Sequence, residues 1–350
     1  MKILHLIFSL NIGGSENLLV DLINQQVISN EVTLCIINNA YNETLLSNIN
    51  KKIKIVLLNR KESSHNICDV FRLNFILIQA KPDIVHCHDS NIIQYLFHPL
   101  GHTILTVHST NLPLKGIKKY KNVVAISKSV AEVLYKKGLN NKITTIYNAI
   151  NTQSILLKEK KERNKNIPFR LIQVGRLEHL TKGQHLSIKA ISLLKKQFPF
   201  MEIHIDFIGS GNSETYLKAI AEELDVISNV HFLGARSKEY VYTHLKNYDI
   251  LLQPSIIEGF GLTVAEGMVA GLPVLVSDVE GPMEIIQNGE YGYCFQVGNA
   301  EDMANKLIEM LQNPTKASEI ARNGQAYATS HFDIKELVLK YDELYKKSLK

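Results

Sequence analysis

The sequence predicts two doubly wound α/β units, each a parallel sheet covered by helices. Three observations carry this. At 350 residues the chain exceeds the roughly 250–300 that one hydrophobic core sustains. Short apolar runs alternate with longer amphipathic ones along its whole length, the pattern of strand–helix–strand crossovers. A charged, aperiodic stretch at 152–168, ending at Pro168, splits that series in two, as a linker does.

The first series has strands over Lys2–Phe8, Glu31–Ile37, Ile53–Leu58, Asp83–Cys87, Thr103–Val107, Val123–Ile126 and Lys142–Tyr147. Among its helices are 15–28 and 129–137, the second capped by Ser127 and closed by Gly138, residues suited to those positions. The second series has strands over Phe169–Val174, Glu202–Ile208, Val230–Leu233, Asp249–Leu252 and Pro273–Val276, and the chain ends in an amphipathic helix over 334–347. These boundaries give an N-terminal unit at 1–155, a linker at 156–168, a second unit at 169–330 and a terminal helix at 331–350.

Composition narrows the class. With 45% hydrophobic and 21% charged residues the chain is globular rather than disordered. No apolar run approaches the roughly 18 residues of a spanning helix. Met1 leads through strand residues into Asn11-Ile12-Gly13-Gly14 with no small-residue cleavage site, so no signal peptide is expected. Cys35, Cys68, Cys87 and Cys294 are scattered without a Cys-x-x-Cys pair, which fits reduced thiols and a cytoplasmic setting rather than disulfides or zinc.

Charge is uneven: residues 1–165 carry 21 Lys and Arg against 11 Asp and Glu, whereas 166–350 carry 18 against 23. Lys115, Lys118, Lys119 and Lys121 cluster around Gly116, with Lys136 and Lys137 close behind. A basic half points to an anionic partner, a membrane surface or a lipid-linked phosphate; a solvated lysine-rich face is the plain alternative. Nucleic acid is disfavoured, because Arg is scarce here and aromatic and basic residues do not alternate.

Paired doubly wound units predict a ligand at the carboxyl ends of the strands. The loop Asn11-Ile12-Gly13-Gly14-Ser15-Glu16 lets backbone approach a ligand at a helix N-terminus. It lacks the G-x-G-x-x-G of a dinucleotide fingerprint, as does Gly209-Ser210-Gly211. A stronger signal follows the first strand of the second unit, where Val174-Gly175-Arg176-Leu177 leads to Thr181-Lys182-Gly183. Arg offers a planar fork for phosphate oxygens and Lys a mobile point charge, so the pair predicts diphosphate binding. No Asp-x-Asp occurs, so a carboxylate-held metal is not supported.

The third element runs from Glu258 through Gly259, Phe260, Gly261, Leu262 and Thr263 to Glu266. Were all its steps helical, the glutamates would stand about 12 Å apart along the axis. That exceeds the roughly 5–9.5 Å of a carboxyl pair acting on one glycosidic bond. The two are therefore expected to serve different ends of one ligand.

This Gly-Arg-Leu…Lys-Gly segment followed by Glu-x7-Glu resembles the retaining GT-B glycosyltransferases of family 4, and the resemblance spans nearly the whole chain. Further matches are Gly-Gly-x-Glu at 13–16, Val-His at 107–108, Ala-Ile-Ser at 125–127 and Tyr-Asn at 147–148. It implies two Rossmann-like domains facing a cleft, the C-terminal helix crossing back to the N-terminal domain. It also implies a nucleotide-sugar donor held by the second domain, UDP being the favoured carrier, and a glycan or polyprenyl-diphosphate-linked acceptor held by the first. By the same resemblance Arg176 and Lys182 bind the donor diphosphate, Glu266 the ribose, and Glu258 faces the transferred sugar. Backbone at Gly259, Phe260, Gly261, Leu262 and Thr263 holds sugar hydroxyls and phosphate. Gly14 approaches the diphosphate, and His108 contacts the sugar and reaction centre. Neither metal nor cofactor is expected.

Two positions depart from the family pattern, Ala149 after Asn148 and Ser109 after His108. His86 and His88 are expected to be structural. The basic first half suits an undecaprenyl-type lipid diphosphate or lipopolysaccharide core in surface-polysaccharide assembly. A nucleotide-sugar epimerase of the same architecture would act without acceptor, and a non-catalytic binding module would not turn over at all.

Overall fold

The computed structural model describes residues 1–64, 66–97, 101–109, 116–139, 143–159 and 167–350. Lys115, Lys142 and positions 160–166 of the expected linker lie outside the described residues. The chain divides into two units, Met1–Ile150 with Ile334–Lys350, and Asn151–Asp333. Residues 151–155 and 331–333 thus count with the second unit, and the last helix counts with the first.

In the first unit β1 (Lys2–Ile7), β2 (Glu31–Asn38), β3 (Lys54–Arg60), β4 (Ile84–Cys87), β5 (His102–Val107), β6 (Asn122–Ala125) and β7 (Ile143–Thr145) form one sheet ordered 3-2-1-4-5-6-7. Every pair is parallel. After its first residue β1 is buried throughout, as is β2, which is why both read as continuous apolar runs. The chain builds outward from β1 to β3, then returns to lay β4 on the free side of β1.

The second unit repeats the plan with β8 (Phe169–Val174), β9 (Ile203–Ile208), β10 (Val230–Phe232), β11 (Ile250–Gln253), β12 (Val274–Ser277) and β13 (Tyr293–Phe295), ordered 10-9-8-11-12-13 and parallel. The sequence reading misses β13, a three-residue strand set directly between Gly292 and Gln296 with no flanking apolar residue to lengthen the run. Among the described residues no helix is long and apolar enough to cross a membrane.

The terminal helix Ile334–Ser348 packs Ile334, Leu337, Tyr341 and Leu344 with Leu18 and Leu22 of helix Gly14–Gln26 and with Ile3, Ile84 and Ile104 of the sheet. It also completes a buried polar network. Gln26 Nε2 donates to Tyr345 Oη at 3.2 Å, and Tyr345 Oη lies 2.7 Å from His86 Nδ1. His86 Nε2 is 2.7 Å from Thr106 Oγ1, which is 2.8 Å from Tyr341 Oη. Such groups are tolerated in an apolar core only when each finds a partner. Tyr345→Phe leaves His86 Nδ1 and Gln26 Nε2 unpaired, so urea denaturation is expected to show a loss of about 2–4 kcal/mol, larger than that of Tyr341→Phe.

Candidate active site

The strand order of the second sheet reverses between β8 and β11, and such a switch point opens a crevice at the carboxyl ends of the strands. The loop after β8 carries Arg176 and leads into the short helix His179–Lys182, which ends in Lys182; the loop after β11 carries Glu258. The two loops meet backbone to backbone. Gly183 sits at φ +67°, and a Cβ there would fall 1.9 Å from the carbonyl oxygen of Pro254, so only glycine fits. Two buried glutamines hold the first loop: Gln173 Nε2 donates to the Lys182 carbonyl and Gln184 Nε2 to that of Arg176, each at 2.8 Å.

Glu258 Oε2 gathers three donors. Lys182 Nζ lies at 2.7 Å, Gln253 Nε2 at 3.0 Å and Ser255 Oγ at 3.4 Å. Gln253 Oε1 in turn accepts from Thr263 Oγ1 at 2.7 Å. Gln253 is buried at the end of β11, so the carboxylate is aimed by a neutral amide locked in the core. Arg176 differs from Lys182: its side chain is 74% exposed and 3.6 Å from Glu178, a weak surface pair that leaves the guanidinium accessible to a ligand.

Helix Leu262–Val269 begins after Gly261, with no side chain capping its first turn, so its leading N–H groups are open to an anion. Only half of the Glu258–Glu266 interval is helical, so the rise of a continuous helix does not describe it. Glu266 is half-buried on that helix. The Phe260 ring is buried, edge-on to Phe332, so Phe260 can offer a ligand its backbone but not its ring. Thr263 acts on Gln253 through its side chain, which the sequence did not indicate.

The first sheet has its own switch point, between β1 and β4. Gly14 opens helix Gly14–Gln26 and is exposed. The Glu16 carboxylate folds back over the start of that helix, where Ser15 Oγ donates to it at 2.7 Å. Asp89, just beyond β4, accepts from the Phe8 N–H at 2.9 Å. Burial raises the Asp89 pKa; the bond from Phe8 opposes the shift and the Glu16 charge adds to it. The Glu16 and Asp89 carboxylates thus stand beside the loop at which Gly14 is expected to approach the diphosphate.

Beside them lies a cluster of four histidines, His5, His86, His88 and His108. Neighbouring rings sit with centroids 4.4–5.9 Å apart. Burial lowers the pKa of His5 and His108 to about 4 and holds His86 and His88 well below the ordinary value, so all four are neutral near pH 7. With the Gln26 amide oriented so that Oε1 faces His5, His5 Nε2 donates to it at 2.8 Å. His5 Nδ1 then accepts from His88 Nε2 at 3.0 Å. That tautomer leaves His88 Nδ1 a bare acceptor. Among the described residues His88 Nδ1 and both nitrogens of His108 are buried without a partner.

One nitrogen from each of His5, His86 and His88 lies within 4.8 Å of the others, close enough to consider a metal. Both nitrogens of His5, both of His86 and Nε2 of His88 are already engaged in hydrogen bonds, so only one lone pair is on offer. His88, expected to be structural, thus keeps one buried nitrogen without a partner, as His108 keeps two. The signal in the sequence was a polar residue inside an apolar strand run, as at His5 and Gln253.

Two units, each a parallel doubly wound sheet with a switch point, are the architecture of the GT-B class. Residues 155–327 match the family described as Glycosyl transferases group 1, and residues 12–154 match Glycosyltransferase Family 4. The chain belongs to this family of glycosyltransferases.

Among relatives, the N,N'-diacetylbacillosaminyl-diphospho-undecaprenol alpha-1,3-N-acetylgalactosaminyltransferase of Campylobacter jejuni is 30% identical over 75% of this chain and 66% of its own length. Anabaena Alr3699/HepE, solved in complex with UDP, superposes with a TM-score of 0.83 at 20% identity, covering 99% of this chain and 100% of its own. The lipopolysaccharide outer core galactosyltransferase WaaB, in its apo form, gives 0.76 at 21% identity, covering 99% and 100%. These two structures bear on the fold alone. The matches to curated relatives span 38–66% of the relatives' own lengths.

The histidines set a pH dependence. Between pH 6.5 and about 4 the unfolded chain takes up protons that buried His5 and His108 refuse, so stability falls as pH falls through that window. Asp89, with its raised pKa, opposes this by one group. Urea midpoints measured at about pH 7.5 and about pH 5 are expected to drop steeply, and less so in His108→Gln.

Proposed function

We propose that the chain transfers a hexosyl or N-acetylhexosaminyl group from a UDP-sugar to a glycan or polyprenyl-diphosphate-linked acceptor. The anomeric configuration is retained, and the setting is bacterial surface-polysaccharide assembly (lipopolysaccharide, O-antigen or capsule) at the inner face of the cytoplasmic membrane. The observation that carries this is the Lys182–Glu258 contact at 2.7 Å, which places a cation and a carboxylate together at the switch point of the second sheet, with Arg176 accessible on the same loop.

In this scheme the donor diphosphate takes Lys182 from Glu258 and adds Arg176. Glu258, still held by Gln253 and Ser255, turns its acceptor oxygens to the sugar hydroxyls, while Glu266 holds the ribose. The bond from the anomeric carbon to the phosphate oxygen breaks as the acceptor oxygen bonds to that carbon, and the acceptor's proton passes to the departing phosphate. Negative charge growing on the diphosphate meets Arg176, Lys182 and the first N–H groups of helix Leu262–Val269, donors already in place when that charge develops. These groups supply the neutralisation without a metal. Neutral His108 offers one donor and one acceptor to sugar hydroxyls. The lipid-linked substrate named for the Campylobacter relative and the UDP named for HepE support the choice of acceptor and carrier.

Calorimetry with UDP, GDP and EDTA tests this. UDP binding should survive EDTA and weaken about tenfold or more in Arg176→Ala or Lys182→Ala, and each variant should lose about 2–4 kcal/mol of transition-state stabilisation. Loss of binding in EDTA would exclude the metal-free scheme, and a GDP preference would move the donor to mannose- or fucose-type sugars. Glu258→Gln removes the competing carboxylate, so it should bind UDP more tightly yet turn over more slowly; weaker UDP binding with unchanged turnover would remove Glu258 from the sugar site.

A further inference from the structure

Helix Ile67–Ala80 of the first unit follows edge strand β3 and shows water an apolar stripe. Ile67, Phe71, Phe75 and Ile78 recur at steps of four and three, which places them on one side of a helix; each is 56–63% exposed. The opposite side is buried through Leu73 and Leu77. Phe97, 60% exposed, meets Phe71 edge-on with centroids 5.2 Å apart and extends the patch beyond the helix. Between helix and strand runs a groove of about 380 Å³ lined by Val56, Leu58, Phe71 and Phe75 among others. Isolated exposed apolar residues are ordinary, but a contiguous patch of this kind marks an interaction surface.

The surrounding charge selects the partner. Residues 51–83 carry seven Lys and Arg against three Asp and Glu. Lys51, Lys52 and Lys54 at the start of β3 and Lys81 just past the helix are all exposed. A crossover helix returns antiparallel to its strand, so these four lysines gather at one end of the stripe. Right-handed crossovers also put helix Lys128–Lys136 on the same sheet face, with Lys128 and Lys136 exposed. Apolar side chains bordered by cations would repel a second copy of the same face and match an anionic bilayer.

We propose that this face is a membrane-docking surface. Phe71, Phe75 and Ile78 enter the boundary between headgroups and acyl chains, while the lysines at 51–54 and Lys81 meet lipid phosphates. The assignment deepens the membrane setting proposed above by naming the face that docks; it is argued from surface chemistry, so its failure in the test below leaves the donor chemistry of the transferase scheme standing.

Co-sedimentation of the full chain with vesicles of phosphatidylcholine, with and without phosphatidylglycerol, tests it. Binding to the anionic vesicles is expected, weakening with salt. The double substitution Phe71→Ser with Phe75→Ser should reduce it about tenfold or more while cooperative thermal unfolding is kept. A second readout guards against misfolding of that variant. The chain has no Trp, so Phe75→Trp supplies a single reporter whose emission should shift to the blue on adding anionic vesicles. No vesicle binding by the unaltered chain, an emission unchanged by vesicles, or a concentration-dependent dimer abolished by the Ser substitutions in place of lipid binding would each overturn the proposal.

Discussion

A parallel sheet whose strand order reverses once cannot cover the carboxyl ends of the two strands at the reversal, because the connecting segments leave in opposite directions. Both units obey this constraint, at β1/β4 and at β8/β11. The candidate site residues gather at or beside those two places. Arg176, Lys182 and Glu258 lie at the second; Glu16, Asp89, His88 and His108 lie at or beside the first. Short loops become binding elements there because rigid strands fix where they start.

The two places are furnished differently. At β8/β11 the Lys182 cation is paired with a carboxylate, and the carboxylate is oriented by a neutral amide. Holding Glu258 with Gln253 and Ser255, in addition to Lys182, means that losing the lysine to a ligand does not leave the carboxylate unsatisfied. At β1/β4 the groups are carboxylates and neutral imidazoles, whose charge is suppressed by burial.

The last helix joins these themes to stability. By returning to the first unit it supplies Tyr341 and Tyr345 to buried polar atoms on β4, β5 and helix Gly14–Gln26. His86 is thereby satisfied at both nitrogens and removed from ligand chemistry. Its neighbour His88, two positions on and so on the same side of the strand, is satisfied at only one. A chain of hydrogen bonds thus separates a fully satisfied histidine from one with an unpartnered nitrogen.

Most of the fold was legible in the sequence. Buried parallel strands must be continuous apolar runs and their crossover helices must be amphipathic, so alternation alone announced two doubly wound sheets; only β13, three residues long, escaped. Charged loop residues flanked by glycine at strand ends, Arg176 and Lys182, were legible for the same reason. Three things were decided only by tertiary structure: which strands are neighbours, and hence where the reversals fall; that Lys182 rests directly on Glu258, which Gln253 also holds; and that His88 rather than His86 keeps a nitrogen without a partner. These depend on contacts between residues far apart in sequence, such as Gln26 with Tyr345 and Lys182 with Glu258. Local periodicity carries no information about such pairs, because it reports how a segment meets an apolar core and not which partner it meets there.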